Sequence, residues 1–210
     1  RMGSASGKAA CKTHHPECNT DPQRGARFHR EGATVIELHH PNTVQFYDFG
    51  DLDDGTLFIV MELIEGEDLS VRLRRGPVDM QTADKLIIQV CGSLSEAHQR
   101  GVVHRDLKPE NVLLTSRGGQ TDFVKVLDFG IAKRSEAEDE SKAKLTKQGM
   151  VLGTPPYMSP EQFSGQTLDA RSDIYPLGIM TYDVFTGKLP FESPPPRDSA
   201  STHLPPQPPP

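Results

Sequence analysis

A short polar segment in the middle of the chain constrains the fold more than any other part of the sequence. Residues His104–Asn111 read HRDLKPEN, and they lie between two short apolar runs, Gly101–Val103 and Val112–Leu114. Further along, an Asp-Phe-Gly triplet at residues 128–130 ends a third apolar run. Apolar runs of this length favour strands, so the charged residues lie on loops, where binding and catalytic side chains concentrate. The sequence therefore predicts a folded domain that carries a polar site on its loops.

Two pairs of strands are predicted from apolar runs and the turns between them. Val44–Phe49 and Thr56–Met61 flank an Asp-Asp-Gly turn, which is typical of a β-hairpin. Residues 112–114 and 123–127 flank an Arg-Gly-Gly turn and predict a second hairpin.

Helices are predicted mainly in the later part of the chain. Apolar residues recur at helical spacing over residues 80–100, with Asp79 as the N-cap and Gly101 as the terminator. Ile174–Phe185 is apolar nearly all round, which predicts a buried helix. Strands followed by helices are typical of an α+β fold in two lobes, and this is the fold class that we predict.

The composition excludes several classes of function. The chain has 23 Lys and Arg against 29 Asp and Glu, a net charge of −6. This balance argues against a nucleic-acid binder, because contacts to phosphates need clustered Lys and Arg. The longest apolar runs are too short to cross a bilayer, so no membrane segment is expected. Three widely spaced cysteines give no disulfide framework, and we expect a cytoplasmic protein.

A third motif completes a set of three. Residues 153–161 read GTPPYMSPE and follow the other two motifs in chain order. The set resembles the catalytic loop, the metal-binding triplet and the Pro-Glu element of protein serine/threonine kinases, of the eukaryotic-like type also found in bacteria. The resemblance covers residues 6–191 and implies a small β-sheet lobe at about 6–64 and a mostly helical lobe at about 65–191.

The resemblance also implies a reaction, the transfer of the γ-phosphoryl group of ATP to Ser or Thr hydroxyls of a protein substrate. This chemistry needs positioning and charge neutralisation more than covalent work by the protein. Asp106 would accept the proton of the attacking hydroxyl, and Lys108 would lie against the transferred phosphoryl group. Asn111 and Asp128 would hold Mg²⁺ through oxygen atoms, which this metal prefers.

A nucleotide site is implied in the same way. AACK at residues 9–12 resembles the end of the third strand of kinases, and Glu31 lies where their next helix carries a glutamate. We therefore expect a Lys12–Glu31 ion pair at the phosphates. The register to the catalytic loop implies the other contacts: the Glu62 carbonyl and the Ile64 amide at the adenine edge, Asp68 at the ribose, and Leu113 as the pocket floor.

The segment between the second and third motifs is predicted to be a regulated surface loop. Residues 133–148 are strongly charged and poor in apolar side chains. In the family, an arginine at the position of Arg105 marks a loop that responds to phosphorylation. Candidate phosphorylation sites are Ser135, Ser141 and Thr146, and Thr154 is expected to position the substrate.

The sequence departs from the family at both ends of the domain. A Gly-rich loop does not precede Lys12, and a Pro-rich sequence follows Phe191. We therefore expect a domain truncated at both ends, with an N-terminal remnant at 1–5 and a disordered tail at 192–210. Gly32 and Pro176 lie in predicted helices. Gly32 is expected to lower the stability of its helix by about 1 kcal/mol relative to alanine. Pro176 is expected to lower it by about 3 kcal/mol unless it lies in the first turn, where proline is tolerated. Asp173 is expected to tie the last helix to the catalytic loop.

Two other interpretations of the N-terminal residues fail. GSASGK at residues 3–8 lacks the spacing of a P-loop, and the Cys and His residues at 11–18 lack a second pair at zinc-site spacing. For the function, the alternatives are a truncated, catalytically silent kinase-like module that binds nucleotide or a partner, and a gene fragment without a function of its own. The intact Asp106, Lys108, Asn111 and Asp128 favour an enzyme.

Overall fold

The structure is a computed structural model that describes residues Lys8–His14, Pro22–Phe129 and Pro155–Phe191. The predicted loop at 133–148, its phosphorylation sites, Thr154, the remnant at 1–5 and the tail at 192–210 lie outside these residues. The described part has two lobes, each with a three-stranded antiparallel sheet, and the predicted two-lobed α+β fold is confirmed.

The first lobe contains β1 (Ala9–His14), α1 (Pro22–Val35), β2 (Phe46–Asp51) and β3 (Leu57–Glu62). Its strand order is β1-β3-β2, so the predicted hairpin is present and β3 is central. Every second residue of β3 is buried, the period expected of a strand with one face in a core.

Gly32 explains how closely α1 packs on the sheet. A Cβ atom at this position would lie 2.7 Å from the Phe49 ring, which is closer than such contacts occur. Phe28 of the same helix meets Phe49 edge-on, with ring centroids 6.0 Å apart. The glycine therefore permits a close approach between α1 and β2 that the sequence pattern did not predict.

The second lobe contains the remaining elements. Its helices are α2 (Leu69–Leu73), α3 (Met80–Gln99), α4 (Pro160–Phe163) and α5 (Arg171–Thr186), and its sheet has the order β4 (Glu67–Asp68), β5 (Val112–Arg117), β6 (Gln120–Val126). The β5–β6 hairpin turns at Gly118 and Gly119, both with positive φ, as tight two-residue hairpin turns require.

The two long helices of this lobe follow the sequence closely. Asp79 caps α3 by accepting a hydrogen bond from the Thr82 amide at 3.1 Å. α5 begins three residues earlier than the predicted apolar run and continues through Pro176, which lies beyond its first turn. It ends at Gly187 in the left-handed conformation, with φ of 68°.

The turn after α1 joins the two lobes. The Val44 amide donates to the Val126 carbonyl at 2.9 Å, and the Val126 amide donates to the Asn42 carbonyl at 2.7 Å. The buried Thr43 and Ser93 hydroxyls are 2.7 Å apart. The first lobe is therefore anchored on β6 and α3, next to the strand end that precedes Asp128.

Candidate active site

The catalytic loop is held by a buried carboxylate at the start of α5. Asp173 is fully buried and accepts hydrogen bonds from the backbone amides of His104 at 2.8 Å and Arg105 at 2.9 Å. The His98 Nε2 atom lies 2.7 Å from the same carboxylate. Arg105 has a φ of 67°, a conformation that costs a non-glycine residue energy and persists where the surroundings hold it. The predicted tie between the last helix and the catalytic loop is confirmed.

His104 connects this loop to the Asp-Phe-Gly segment. It is fully buried, its ring packs against Phe129 at 4.8 Å between centroids, and Nδ1 accepts a hydrogen bond from the Asp106 amide at 3.3 Å. Nε2 therefore carries the hydrogen and donates to the Leu127 carbonyl at 2.7 Å. Burial lowers the pKa of His104, so the ring stays neutral and serves as a rigid link.

The three residues predicted for catalysis lie together. The Lys108 Nζ atom is 3.2 Å from Asp106 Oδ2. The Asn111 Nδ2 atom donates to the Asp106 carbonyl at 2.7 Å and to Oδ2 at 3.0 Å. The Asp106 carboxylate is therefore oriented by two donors from its own loop, as a base that must meet an incoming hydroxyl requires.

Asn111 and Asp128 are also neighbours, because the Leu127 amide donates to the Asn111 carbonyl at 2.9 Å. With Nδ2 of Asn111 bonded to Asp106, its Oδ1 atom is the one that suits a metal. An amide oxygen and a carboxylate fit Mg²⁺, which takes few protein ligands and completes its shell with water and phosphate oxygens. Clusters of three or more His, Cys, Asp or Glu side chains arranged for a metal do not occur among the described residues.

The expected Lys12–Glu31 ion pair is wrong for this conformation. The Lys12 Nζ atom instead donates to Asp128 Oδ2 at 2.9 Å. Glu31 Oε1 lies 3.7 Å from Nη1 of Arg105, and both of these side chains are 17% exposed. The reason is geometric. From β1, Lys12 reaches the carboxylate of Asp128, and Arg105 of the catalytic loop lies at the carboxylate of Glu31 on α1. The structure thus brings Lys12 to the predicted metal ligand and Glu31 to the catalytic loop.

The residues predicted to contact adenine and ribose lie at the junction of the lobes. Glu62 ends β3, and Ile64 is half-buried in the hinge, residues 62–66. Asp68 and Leu113 are cross-strand partners in β4 and β5. The structure therefore places Asp68 beside the predicted pocket floor, while the contacts of all four residues with a nucleotide stay predictions.

Asp68 also has a structural role that the sequence pattern did not reveal. Its Oδ1 atom accepts hydrogen bonds from the Val71 amide at 2.9 Å and the Ser70 hydroxyl at 2.5 Å, so it caps α2. Burial raises the pKa of Asp68, but the hydrogen bonds from Ser70 and Val71 outweigh burial, and the pKa is lowered. The carboxylate is therefore held ionised and fixed in direction.

Comparison with known proteins agrees with this geometry. Residues 3–204 match the protein kinase domain family. The chain belongs to the protein kinase family. It is 47% identical over 192 residues to serine/threonine-protein kinase pkn3 of Myxococcus xanthus, covering 91% of this chain and 35% of the relative. It is 40% identical to serine/threonine-protein kinase pkn2 of the same organism, covering 93% of this chain and 23% of the relative. It is 38% identical to serine/threonine-protein kinase PknB of Mycobacterium tuberculosis, covering 93% of this chain and 31% of the relative. The chain thus spans about a third or less of the length of these curated relatives.

These similarities confirm the resemblance to bacterial kinases of the eukaryotic-like type. Within the part of this kinase domain that the structure describes, none of the helices has the length and apolar character needed to cross a membrane.

Two features of this kinase domain's site were missed in the sequence. Gln162 accepts a hydrogen bond from the Ser159 amide and donates Nε2 to the Arg105 carbonyl at 2.6 Å. With Ser159 it forms a capping box at α4, a signal that the Ser-Pro-Glu-Gln sequence does carry. The buried Lys125 contacts Glu62 from β6, and no local sequence signal predicts this pair.

Proposed function

We propose that the protein is a serine/threonine kinase that transfers the γ-phosphoryl group of ATP to a hydroxyl of a protein substrate. One observation carries the proposal: Lys108 and Asn111 fix the Asp106 carboxylate, and Asn111 also holds the strand end that precedes Asp128. A general base and two metal ligands are thereby joined in one rigid unit. Phosphoryl transfer requires this arrangement, because it depends on positioning and charge neutralisation.

Each residue of the unit has a defined part in the reaction. Asp106 accepts the proton of the Ser or Thr hydroxyl while the hydroxyl oxygen bonds to the γ-phosphorus. The bond from that phosphorus to the bridging oxygen breaks, and ADP leaves with the electron pair. Lys108, 3.2 Å from the base, offers its positive charge to the transferred group. Asn111 and Asp128 would hold Mg²⁺, which would supply charge neutralisation at the phosphates.

The ion pair between Lys12 and Asp128 has a consequence for nucleotide binding. Asp128 Oδ2 cannot bond to the lysine at 2.9 Å and coordinate a cation in the same place. We expect Lys12 to leave this oxygen when a magnesium nucleotide binds and to move to its phosphates. The move exchanges one salt bridge for another, so its cost is small for side chains that are 44% and 36% exposed.

The substrate class and the location belong to the same proposal. Lys108 stands where serine and threonine kinases carry a lysine, and the relatives are named serine/threonine-protein kinases. These points support Ser and Thr as acceptors. The free, exposed Cys11 and Cys91 suit a reducing compartment, which supports a cytoplasmic location.

A second candidate function is a kinase-like module that binds nucleotide without transferring phosphate. The Glu31–Arg105 ion pair favours it, because it occupies the carboxylate that the resemblance to active kinases assigns to Lys12. The two functions differ in one respect, since only the kinase turns over. Binding without transfer would therefore select this module.

The proposal is tested by transfer of radiolabelled phosphate from ATP to a generic protein substrate. The parent chain is compared with Asp106→Asn, which keeps the shape of the side chain and removes its basicity. General-base catalysis contributes roughly 10²–10⁴-fold, so the variant is expected to lose nearly all transfer. Lys85→Met, an exposed lysine on α3, is the control and should match the parent. Transfer that persists at the parent rate in Asp106→Asn would not depend on Asp106 and would contradict the proposal.

A further inference from the structure

Lys125 is a charged residue inside the protein. It lies on β6, only 7% of its surface is exposed, and its Nζ atom donates to Glu62 Oε1 at 2.5 Å and to the Thr43 carbonyl at 3.1 Å. A buried ammonium group is unfavourable unless it is paired and hydrogen-bonded. Lys125 has both, since Glu62 supplies the opposite charge and the Thr43 carbonyl accepts a further hydrogen bond. These two contacts hold its ammonium group in position.

The partner Glu62 is held from two further directions. Its Oε1 atom also accepts a hydrogen bond from the Gln45 amide at 2.7 Å. Its own amide donates to the Gln45 carbonyl at 2.9 Å. Side chain and backbone of the first hinge residue are therefore fixed together, and Lys125 supplies the charged contact that holds the side chain.

Lys125 also lies in line with the proposed nucleotide contacts. In the β4–β5–β6 sheet it is the cross-strand partner of Leu113, which is in turn the partner of Asp68. Directly opposed residues lie on the same face of a sheet, with Cβ atoms about 5 Å apart. The lysine thus belongs to the row of residues that carries the predicted floor and ribose contact.

We propose that Lys125 is a positioning residue for nucleotide binding, which acts by fixing the hinge peptide at Glu62. The proposal rests on the proposed function, in which the Glu62 carbonyl and the Ile64 amide face the adenine edge. Lys125 would set the affinity for ATP without contacting it. Among the described residues, the Lys125 side chain bonds to Glu62 and Thr43 and not to Asp106, Lys108 or Asn111, so the chemical step is independent of it.

Three variants of the 210-residue chain test this role. Lys125→Met removes the charge and leaves the half-buried Glu62 carboxylate without its cation. Glu62→Gln removes the opposing charge but keeps an oxygen that can accept from the Gln45 amide. The double variant Lys125→Met/Glu62→Gln should recover part of the loss, because a neutral amide tolerates burial better than an unpaired carboxylate. Lys85→Met makes the same substitution at an exposed lysine on α3 and is the control.

Two measurements are made on each variant. The first is KM for ATP and kcat in the transfer assay, where Lys125→Met is expected to raise KM about tenfold, the effect of losing one charge-assisted hydrogen bond, with kcat unchanged. The second is hydrogen exchange at the amides of the hinge without nucleotide, which should be faster in Lys125→Met than in the parent. A lysine that only stabilised the fold would accelerate exchange throughout the domain.

The outcomes separate this proposal from the proposed function. A raised KM with local hinge exchange and partial recovery in the double variant supports it. An unchanged KM, a fall in kcat alone, or equal hinge exchange in Lys125→Met and parent overturns it. A parent chain that does not bind ATP would refute the proposed function, and the hinge exchange would still decide whether Lys125 positions Glu62.

Discussion

Replacing Asp173 should destabilise the domain more than the loss of a single hydrogen bond would. Its carboxylate is fully buried and accepts from the amides of His104 and Arg105 and lies 2.7 Å from His98 Nε2. In Asp173→Ala the buried His104 amide and the partly buried Arg105 amide lose their acceptor. A buried unsatisfied donor costs about 1–3 kcal/mol, so the two amides together cost about 2–6 kcal/mol.

That range is a large part of the stability of an ordinary domain, which is about 5–15 kcal/mol. Asp173→Asn keeps one acceptor oxygen but presents an amide group to the second donor. We therefore expect it to lose about half as much as the alanine variant. The loss falls on the catalytic loop itself, because the two amides belong to the two residues before Asp106.

The measurement is urea unfolding followed by circular dichroism, with linear extrapolation to water. Asp84→Ala, an exposed carboxylate on α3, serves as the control and should leave the unfolding midpoint unchanged. A loss below about 1 kcal/mol in Asp173→Ala would refute the reasoning, because it would mean that water or another group satisfies the two amides.

Three further predictions concern other parts of the structure. Gly32→Ala should lower the free energy of unfolding by about 1–3 kcal/mol through overpacking against Phe49. Adding Phe49→Leu to the same chain should restore part of this loss. Equal melting temperatures for the parent and Gly32→Ala would contradict the prediction. Burial lowers the pKa of His104 from its ordinary 6.5, so below pH 6.5 the unfolded chain takes up a proton that the folded chain does not. Stability should then fall as pH decreases towards the folded-state pKa, by up to about 1.4 kcal/mol per pH unit, and denaturation between pH 7 and 5 should show a shallower fall in His104→Gln. Lys12→Met should weaken ATP binding in a calorimetric titration, whereas Lys8→Met, whose partner is an exposed glutamate, should not; equal effects would remove Lys12 from the site.

The features that could be predicted from the sequence are those formed by residues close together in the chain. The hairpin turns need residues that accept positive φ, and the chain has glycines at 118 and 119. The start of α3 needs a side-chain acceptor, and Asp79 provides it. The catalytic loop is also local, since Asp106, Lys108 and Asn111 contact one another within a few residues. Such features can be predicted because their partners are close in sequence.

The ion pairs could not be predicted, because they depend on how separate elements are placed. The sequence shows that Lys12 needs a carboxylate but not which one it reaches, and Asp128 is 116 residues away. Glu31 lies on α1, whose distance from β2 depends on the packing of Gly32 against Phe49. Its partner Arg105 lies on the catalytic loop of the other lobe. The same holds for Lys125 and Glu62, which are 63 residues apart.

Titration calorimetry decides whether Asn111 and Asp128 form one site for a magnesium nucleotide. ADP is titrated into the parent chain and into Asp128→Asn, with Mg²⁺ and with a chelator in its place. The parent is expected to bind ADP at least about tenfold more tightly with Mg²⁺ than without, and Asp128→Asn is expected to lose this difference. Equal affinities of the parent with and without Mg²⁺ would contradict it.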